Sequence, residues 1–210
     1  MLIRKFLILL FIVAISGCSI FKPATKTTGA NIYINGIDIP GGKTELSIEK
    51  EGFSIEFSVF PYSASEKQRH AAQIAATADA SNLKYFEEGA IDRLNPFLSD
   101  LGTGIATERY KGYDCMYIRD SGHHYIYYKS DRDKRAELVK KARNGKVRLR
   151  WDVNCFYTED RRVKIKDSDI DTIYLMIFID ENLNNKIDTN EYSLITLNFE
   201  NSFKDAKDGS

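Results

Sequence analysis

The sequence predicts a mainly β protein with α insertions: an antiparallel β-sandwich carrying a helical insertion at about residues 64–100. Three observations lead there. Short runs alternate apolar and polar side chains with period 2, the mark of half-buried strands. Asn-Gly, Pro-Gly-Gly and Ser-Gly clusters separate those runs at turn spacing. Strand-like and helix-like segments come in blocks, which argues for sheets packed face to face and against regular βαβ units.

The chain opens with Arg4 and Lys5, an apolar stretch over residues 6–15, and the small residues Ser16 and Gly17 before Cys18. At about 1.5 Å rise per residue that stretch is too short for a hydrocarbon core of about 30 Å, so it reads as an export signal. Residues 19–30 hold Pro23, Lys22, Lys26 and three threonines without hydrophobic periodicity, the composition of a flexible tether.

Strand patterning begins at Ile32, Tyr33 and Ile34 before the turn pair Asn35-Gly36. It resumes at Leu46 and Ile48 after Pro40-Gly41-Gly42. It becomes strict where Phe53, Ile55, Phe57 and Val59 alternate with Ser54, Glu56 and Ser58. The period then changes. Ser65 and Gln68 form a capping-box pattern ahead of an alanine-rich run to Ala80, and Leu83, Phe86, Ala90, Leu94 and Phe97 recur at helical steps. This predicts two helices with a break at Ser81-Asn82, ended by Pro96, Gly102 and Gly104.

Strands return over residues 113–119 and 124–128, joined by Asp120-Ser121-Gly122. A short charged helix is expected over residues 131–143, stopped by Asn144-Gly145. Val147, Leu149, Trp151, Val153, Cys155 and Tyr157 then alternate with Arg148, Arg150, Asp152, Asn154 and Phe156, one long strand with a core face and a largely wet face. Residues 172–179 are apolar on both faces, as in a central strand, and residues 194–199 make the last strand. The organisation is therefore a signal peptide (1–17), a tether (18–30) and one β-sandwich domain (31–210).

Charge excludes one class of partner. The chain has 30 basic and 30 acidic side chains, and removing Arg4 and Lys5 with the signal leaves a slight acidic excess. Nucleic-acid binding, which needs a clustered basic face, is not expected.

Ile15-Ser16-Gly17-Cys18 resembles the lipobox of bacterial lipoproteins. The resemblance implies a diacylglycerol on the Cys18 sulfur, cleavage before Cys18 and acylation of the new N-terminus; two or three acyl chains anchor stably where one is marginal. Ser19 stands where lipoproteins retained in the inner membrane often carry Asp, so the outer membrane, facing the periplasm, is the expected address. With Cys18 acylated, Cys115 and Cys155 remain as an even pair in an exported chain and read as a disulfide. By the chain-entropy argument such a bridge stabilises by about 4 kcal/mol. Two buried unpaired thiols are the alternative.

Residues 180–191 resemble the EF-hand calcium loop over all twelve positions. Asp180, Asn182, Asn184 and Asp188 supply oxygens at positions 1, 3, 5 and 9, Lys186 a backbone carbonyl at 7, and Glu191 the bidentate carboxylate at 12. Ile187 is the apolar residue at position 8. Calcium, a hard cation, takes six to eight such oxygens. Asn185 replaces the family's Gly at position 6, which Asn tolerates because it visits the left-handed region. The flanks read as strands, so the loop is similar to EF-like loops between strands of bacterial surface β-domains, where the ion staples a turn. An Asn/Asp-rich turn without metal is the alternative.

The remaining motifs point to structure. His123 and His124 face opposite sides of a strand and cannot share an ion; with His70 they read as partly exposed. Ser121 lacks a nucleophile elbow. Tyr110, Tyr113, Tyr117, Tyr125, Tyr127 and Tyr128 suit core and sheet surface, with any exposed members available to a protein-binding face. The expectation is a non-enzymatic, lipid-anchored protein that binds another protein. Its layout is similar to that of small lipoproteins serving as immunity proteins against secreted effectors, such as lipases delivered by type VI secretion. The alternative is a structural component of an envelope or secretion assembly.

Overall fold

The computed structural model describes residues 31–61, 72–90, 97, 113–118, 124–128, 136–158, 161–184 and 186–201. The signal, Cys18 and the tether lie outside the described residues. In chain order the strands are β1 (Ile32–Ile34), β2 (Ile37–Ile39), β3 (Gly42–Glu49), β4 (Phe53–Val59), β5 (Ala72–Thr77), β6 (Gly89–Ala90), β7 (Cys115–Tyr117), β8 (His124–Ile126), β9 (Glu137–Lys141), β10 (Val147–Val153), β11 (Cys155–Thr158), β12 (Arg161–Lys164), β13 (Thr172–Phe178), β14 (Lys186–Ile187) and β15 (Tyr192–Glu200). A 3-10 helix spans Ala80–Tyr85 and a shorter one Ile165–Asp167.

Two five-stranded sheets carry the fold, one ordered β2-β1-β4-β10-β9 and the other β3-β15-β13-β5-β8. Among the described residues there are also a three-stranded sheet, β12-β11-β7, and the ribbon β14-β6. Among the described residues pairing is antiparallel except at β15–β3 and β11–β7. The protein is thus mainly β and sandwich-like. Ile55, Phe57 and Val59 of β4 and Leu149, Trp151 and Val153 of β10 form one core with Ile173, Leu175 and Ile177 of β13 and Ile195, Leu197 and Phe199 of β15.

Period 2 explains why β13 looked apolar on both faces. Its other face presents Met176 and Phe178 to a second core with Ala75, Phe86, Phe97, Ile187, Tyr192 and Leu194. The second five-stranded sheet is therefore covered on both sides, and its outer cover includes Ile187 from the candidate calcium loop.

The helical insertion is the main correction. Of residues 64–100, those described give strands β5 and β6 and one short 3-10 helix; the capping-box pair Ser65 and Gln68 lies outside the described residues. β5 is buried at every position and lies between β13 and β8. Tertiary pairing and burial overrode the helix propensity of alanine, whose small side chains suit a strand packed on both faces.

The charged helix is likewise replaced where it is described: residues 137–141 are β9, hairpinned to β10. Asn144-Gly145 is a hairpin turn. Gly145 N–H donates to Ala142 O at 3.2 Å, Ala142 N–H donates to Lys146 O at 2.8 Å, and Gly145 has φ +85°. That is a type I turn followed by a left-handed bulge residue.

The long strand predicted over residues 147–157 breaks at Asn154. β10 pairs with β4 and β9, whereas β11 pairs with β7 and β12. Asn154 N–H donates to Asp114 O at 2.8 Å, which fixes the corner. A Cβ at Gly52 would stand 2.5 Å from Asn154 Oδ1 and 3.2 Å from Val153 O, so a larger residue there would have to turn the Asn154 side chain aside.

β7 and β8 do not form the expected hairpin, since they belong to different sheets. His124 is buried instead of exposed. Its Nε2 accepts the Tyr117 N–H at 2.9 Å, and its ring centroid lies 4.8 Å from that of Trp151.

Candidate metal centre

Residues 180–191 connect β13 to β15 and contain β14. β13 ends in the core, so Asp180 enters the loop buried, and Glu191 re-enters it buried, at 4 % exposure. Asn182, Asn184, Lys186 and Asp188 lie between them nearer the surface, and Asn185 is outside the described residues.

The turn wraps its side chains inward through its own backbone. Asp180 Oδ1 accepts the Asn184 N–H at 3.1 Å, Asn182 Oδ1 the same N–H at 3.0 Å, and Asn184 Oδ1 the Lys186 N–H at 2.8 Å. Leu183 takes φ +60° so that the chain can double back. Ile187, at position 8, pairs with Gly89 in the ribbon and drops into the second core.

Glu191 shows how far the loop fits a cation. Its Oε1 accepts the N–H groups of Glu181 at 2.9 Å and Asn182 at 3.1 Å. Its Oε2 is buried without a hydrogen-bond partner. Burial pushes this carboxyl above its ordinary range against the pull of those N–H bonds, and the negative charge of Asp180 adds to the push. A buried anionic oxygen with no donor is a group a hard cation would satisfy.

Asp188 is placed differently. Asn182 Nδ2 and Asn184 Nδ2 each donate to its Oδ2 at 2.8 Å and hold its carboxyl below the usual range. Ligation through that oxygen requires exchanging these amide N–H groups for the ion. Among the described residues no three Asp, Glu, His or Cys side chains converge to hold a metal by themselves. Amide and carbonyl oxygens of Asn182, Asn184 and Lys186 would have to complete the shell.

Two ties around the loop were not legible beforehand. Lys146 Nζ, just beyond the β9–β10 turn, meets Glu181 Oε1 at 2.5 Å. Glu88 accepts from Thr189 Oγ1 at 2.9 Å and from the Tyr192 hydroxyl at 3.4 Å. Both are contacts between distant segments, without a local pattern that announces them.

The second predicted pair, Cys115 and Cys155, is brought together. They are direct register partners of parallel β7 and β11, both buried, and the structure places two free thiols where the sequence suggested a disulfide. Arg162 on β12 donates from Nε to Cys155 Sγ at 2.9 Å, and its Nη2 reaches Asp114 Oδ1 and Oδ2 at 2.6 and 2.7 Å. Asp114 and Arg162 are residues the sequence reading missed, since it ended the strand pattern at Tyr157 and never placed β12 beside the cysteines.

Of the tyrosines, Tyr117 and Tyr128 are buried, Tyr125 and Tyr127 half-buried and Tyr113 exposed. No protein-family model, curated protein or solved structure matches the chain.

Proposed function

We propose that this chain is a lipid-anchored envelope protein, on the outer membrane facing the periplasm, whose β-domain binds another protein without catalysing a reaction. A structural calcium ion staples loop 180–191. The observation that carries the binding reading is β3. This eight-residue strand pairs, among the described residues, with β15 alone. An open strand edge offers backbone N–H and C=O groups to an extended segment of a partner. Beside it runs a groove of about 610 Å3 between β3, β15 and the 3-10 helix, lined in part by Lys43, Thr44, Leu83, Lys84 and Phe86. Thr44 Oγ1 is buried there without a hydrogen-bond partner.

The partner class that suits this layout is a secreted effector, lipase-like, that the chain neutralises at the membrane. The test is titration of the purified full chain against an effector encoded beside its gene. Lys43→Glu combined with Lys84→Glu is expected to weaken binding at least about tenfold, roughly 1.4 kcal/mol. Undiminished affinity in that variant removes the β3 groove as the surface. An envelope-assembly operon with no effector in it would favour the structural alternative.

A further inference from the structure

We propose that Cys155 and Cys115 form an exchange-active dithiol, with Cys155 the attacking sulfur, Arg162 its positioning residue, and an oxidised disulfide the class of substrate. A buried cysteine that only fills space is an apolar group and needs no cation. Cys155 has one. The guanidinium of Arg162 points Nε at Sγ and is oriented by both carboxylate oxygens of Asp114. A charged donor held on sulfur favours thiolate over thiol.

Within the three-stranded sheet the groups beside the pair come from β7 and β12. Cys115 faces Cys155 from β7, with Asp114 just before it; Arg162 and the register partner Lys164 stand on β12. When protonated, the Cys155 thiol donates a hydrogen bond to Asp114 O at 3.5 Å. The hydrogen bond from the Cys115 thiol draws the Cys155 thiol below the ordinary range against the opposing push of burial, and the hydrogen bond from Arg162 adds to the pull. The same contact and burial push Cys115 up.

Access follows from the sheet. β12 is an edge strand among the described residues, and the Arg162 side chain that donates to Cys155 Sγ is 47 % exposed, which places the buried sulfur next to a solvent-facing group. In the exchange, Cys155 thiolate attacks one sulfur of the external disulfide and the other sulfur leaves as a thiolate that takes a proton. Cys115 then loses its proton to solvent and attacks Cys155 Sγ, forming the Cys115–Cys155 bridge and expelling the second sulfur. Two protein thiols are oxidised and one disulfide is reduced to two thiols.

The experiment uses the reduced full chain, alkylated with iodoacetamide across pH and mapped by peptide mass so that Cys18 is counted apart. Cys155 is expected to react first, with a midpoint below the ordinary thiol value of about 8.5. Arg162→Gln is expected to raise that midpoint and slow Cys155 about tenfold at neutral pH, with Arg162→Lys restoring part of the rate. With glutathione disulfide as probe, Cys115→Ser is expected to trap a mixed disulfide on Cys155, at least tenfold more than Cys155→Ser traps on Cys115. The wild-type pH profile requires no substitution to fold. Equal rates at the two cysteines, a midpoint at or above the ordinary value, or reaction only after denaturation would each overturn the proposal.

Discussion

Glu191→Gln separates a calcium staple from an ordinary acidic turn because it reverses sign with the ion. Without calcium, wild-type Glu191 holds a carboxylate oxygen that is buried and lacks a partner. An unsatisfied buried group costs about 1–3 kcal/mol, and a charged one more. Glutamine keeps an oxygen for the N–H groups of Glu181 and Asn182 and removes the charge near Asp180. In chelator the variant, whose amide nitrogen occupies the same gap without a charge, should therefore be no less stable than wild type. In calcium at a hundredfold excess over Kd, wild type gains about 2.7 kcal/mol and the variant, lacking the carboxylate, does not. For a chain of this size about 1 kcal/mol moves Tm by about 2–4 °C, so wild type should rise by about 5–10 °C on adding calcium. The assay is thermal unfolding of both proteins in chelator and in millimolar calcium, followed by far-ultraviolet circular dichroism. Equal wild-type Tm in the two conditions, or a variant already less stable in chelator, would refute the reasoning.

Ile187→Ala removes a buried anchor packed with Phe86, Phe97 and Tyr192, and should cost about 2–5 kcal/mol in urea unfolding; under about 1 kcal/mol would show that β14 is not docked on the second core. Gly145→Ala forces a Cβ onto φ +85° and should cost about 1–2 kcal/mol, with the β9–β10 amides exchanging faster by nuclear magnetic resonance. Cys18→Ala removes the acyl acceptor and should abolish labelling by a palmitate analogue while leaving an unprocessed chain, and a tagged mutant would rule out Cys18 as the sole anchor. Lys146→Ala breaks the half-buried pair with Glu181 and should cost about 1 kcal/mol or less, more weakly at high salt, as read from denaturant midpoints.

Whatever period and local chemistry control was legible in the sequence alone. β4 and β10 alternate as read, β13 is central, Asn35-Gly36 turns β1 into β2 with both residues at positive φ, and the mainly β class follows from these. The twelve-residue loop was likewise visible as spacing, because its oxygens come from consecutive residues. Tertiary structure decided everything that depends on a distant partner. The alanine-rich run became β5 because β13 and β8 flank it and both its faces are buried, a context no local propensity records. Residues 137–141 became a strand because β10 was there to pair with them, which turned Asn144-Gly145 from a helix stop into a hairpin. The long alternation through Asn154 ran unbroken in sequence. The division between two sheets came from Asp114 O, some forty positions earlier, taking the Asn154 N–H. The same rule governs the sites. Local spacing marked the candidate calcium loop, but only the fold set Ile187 in a core, left Glu191 Oε2 without a donor, and put Arg162 on the sulfur of Cys155.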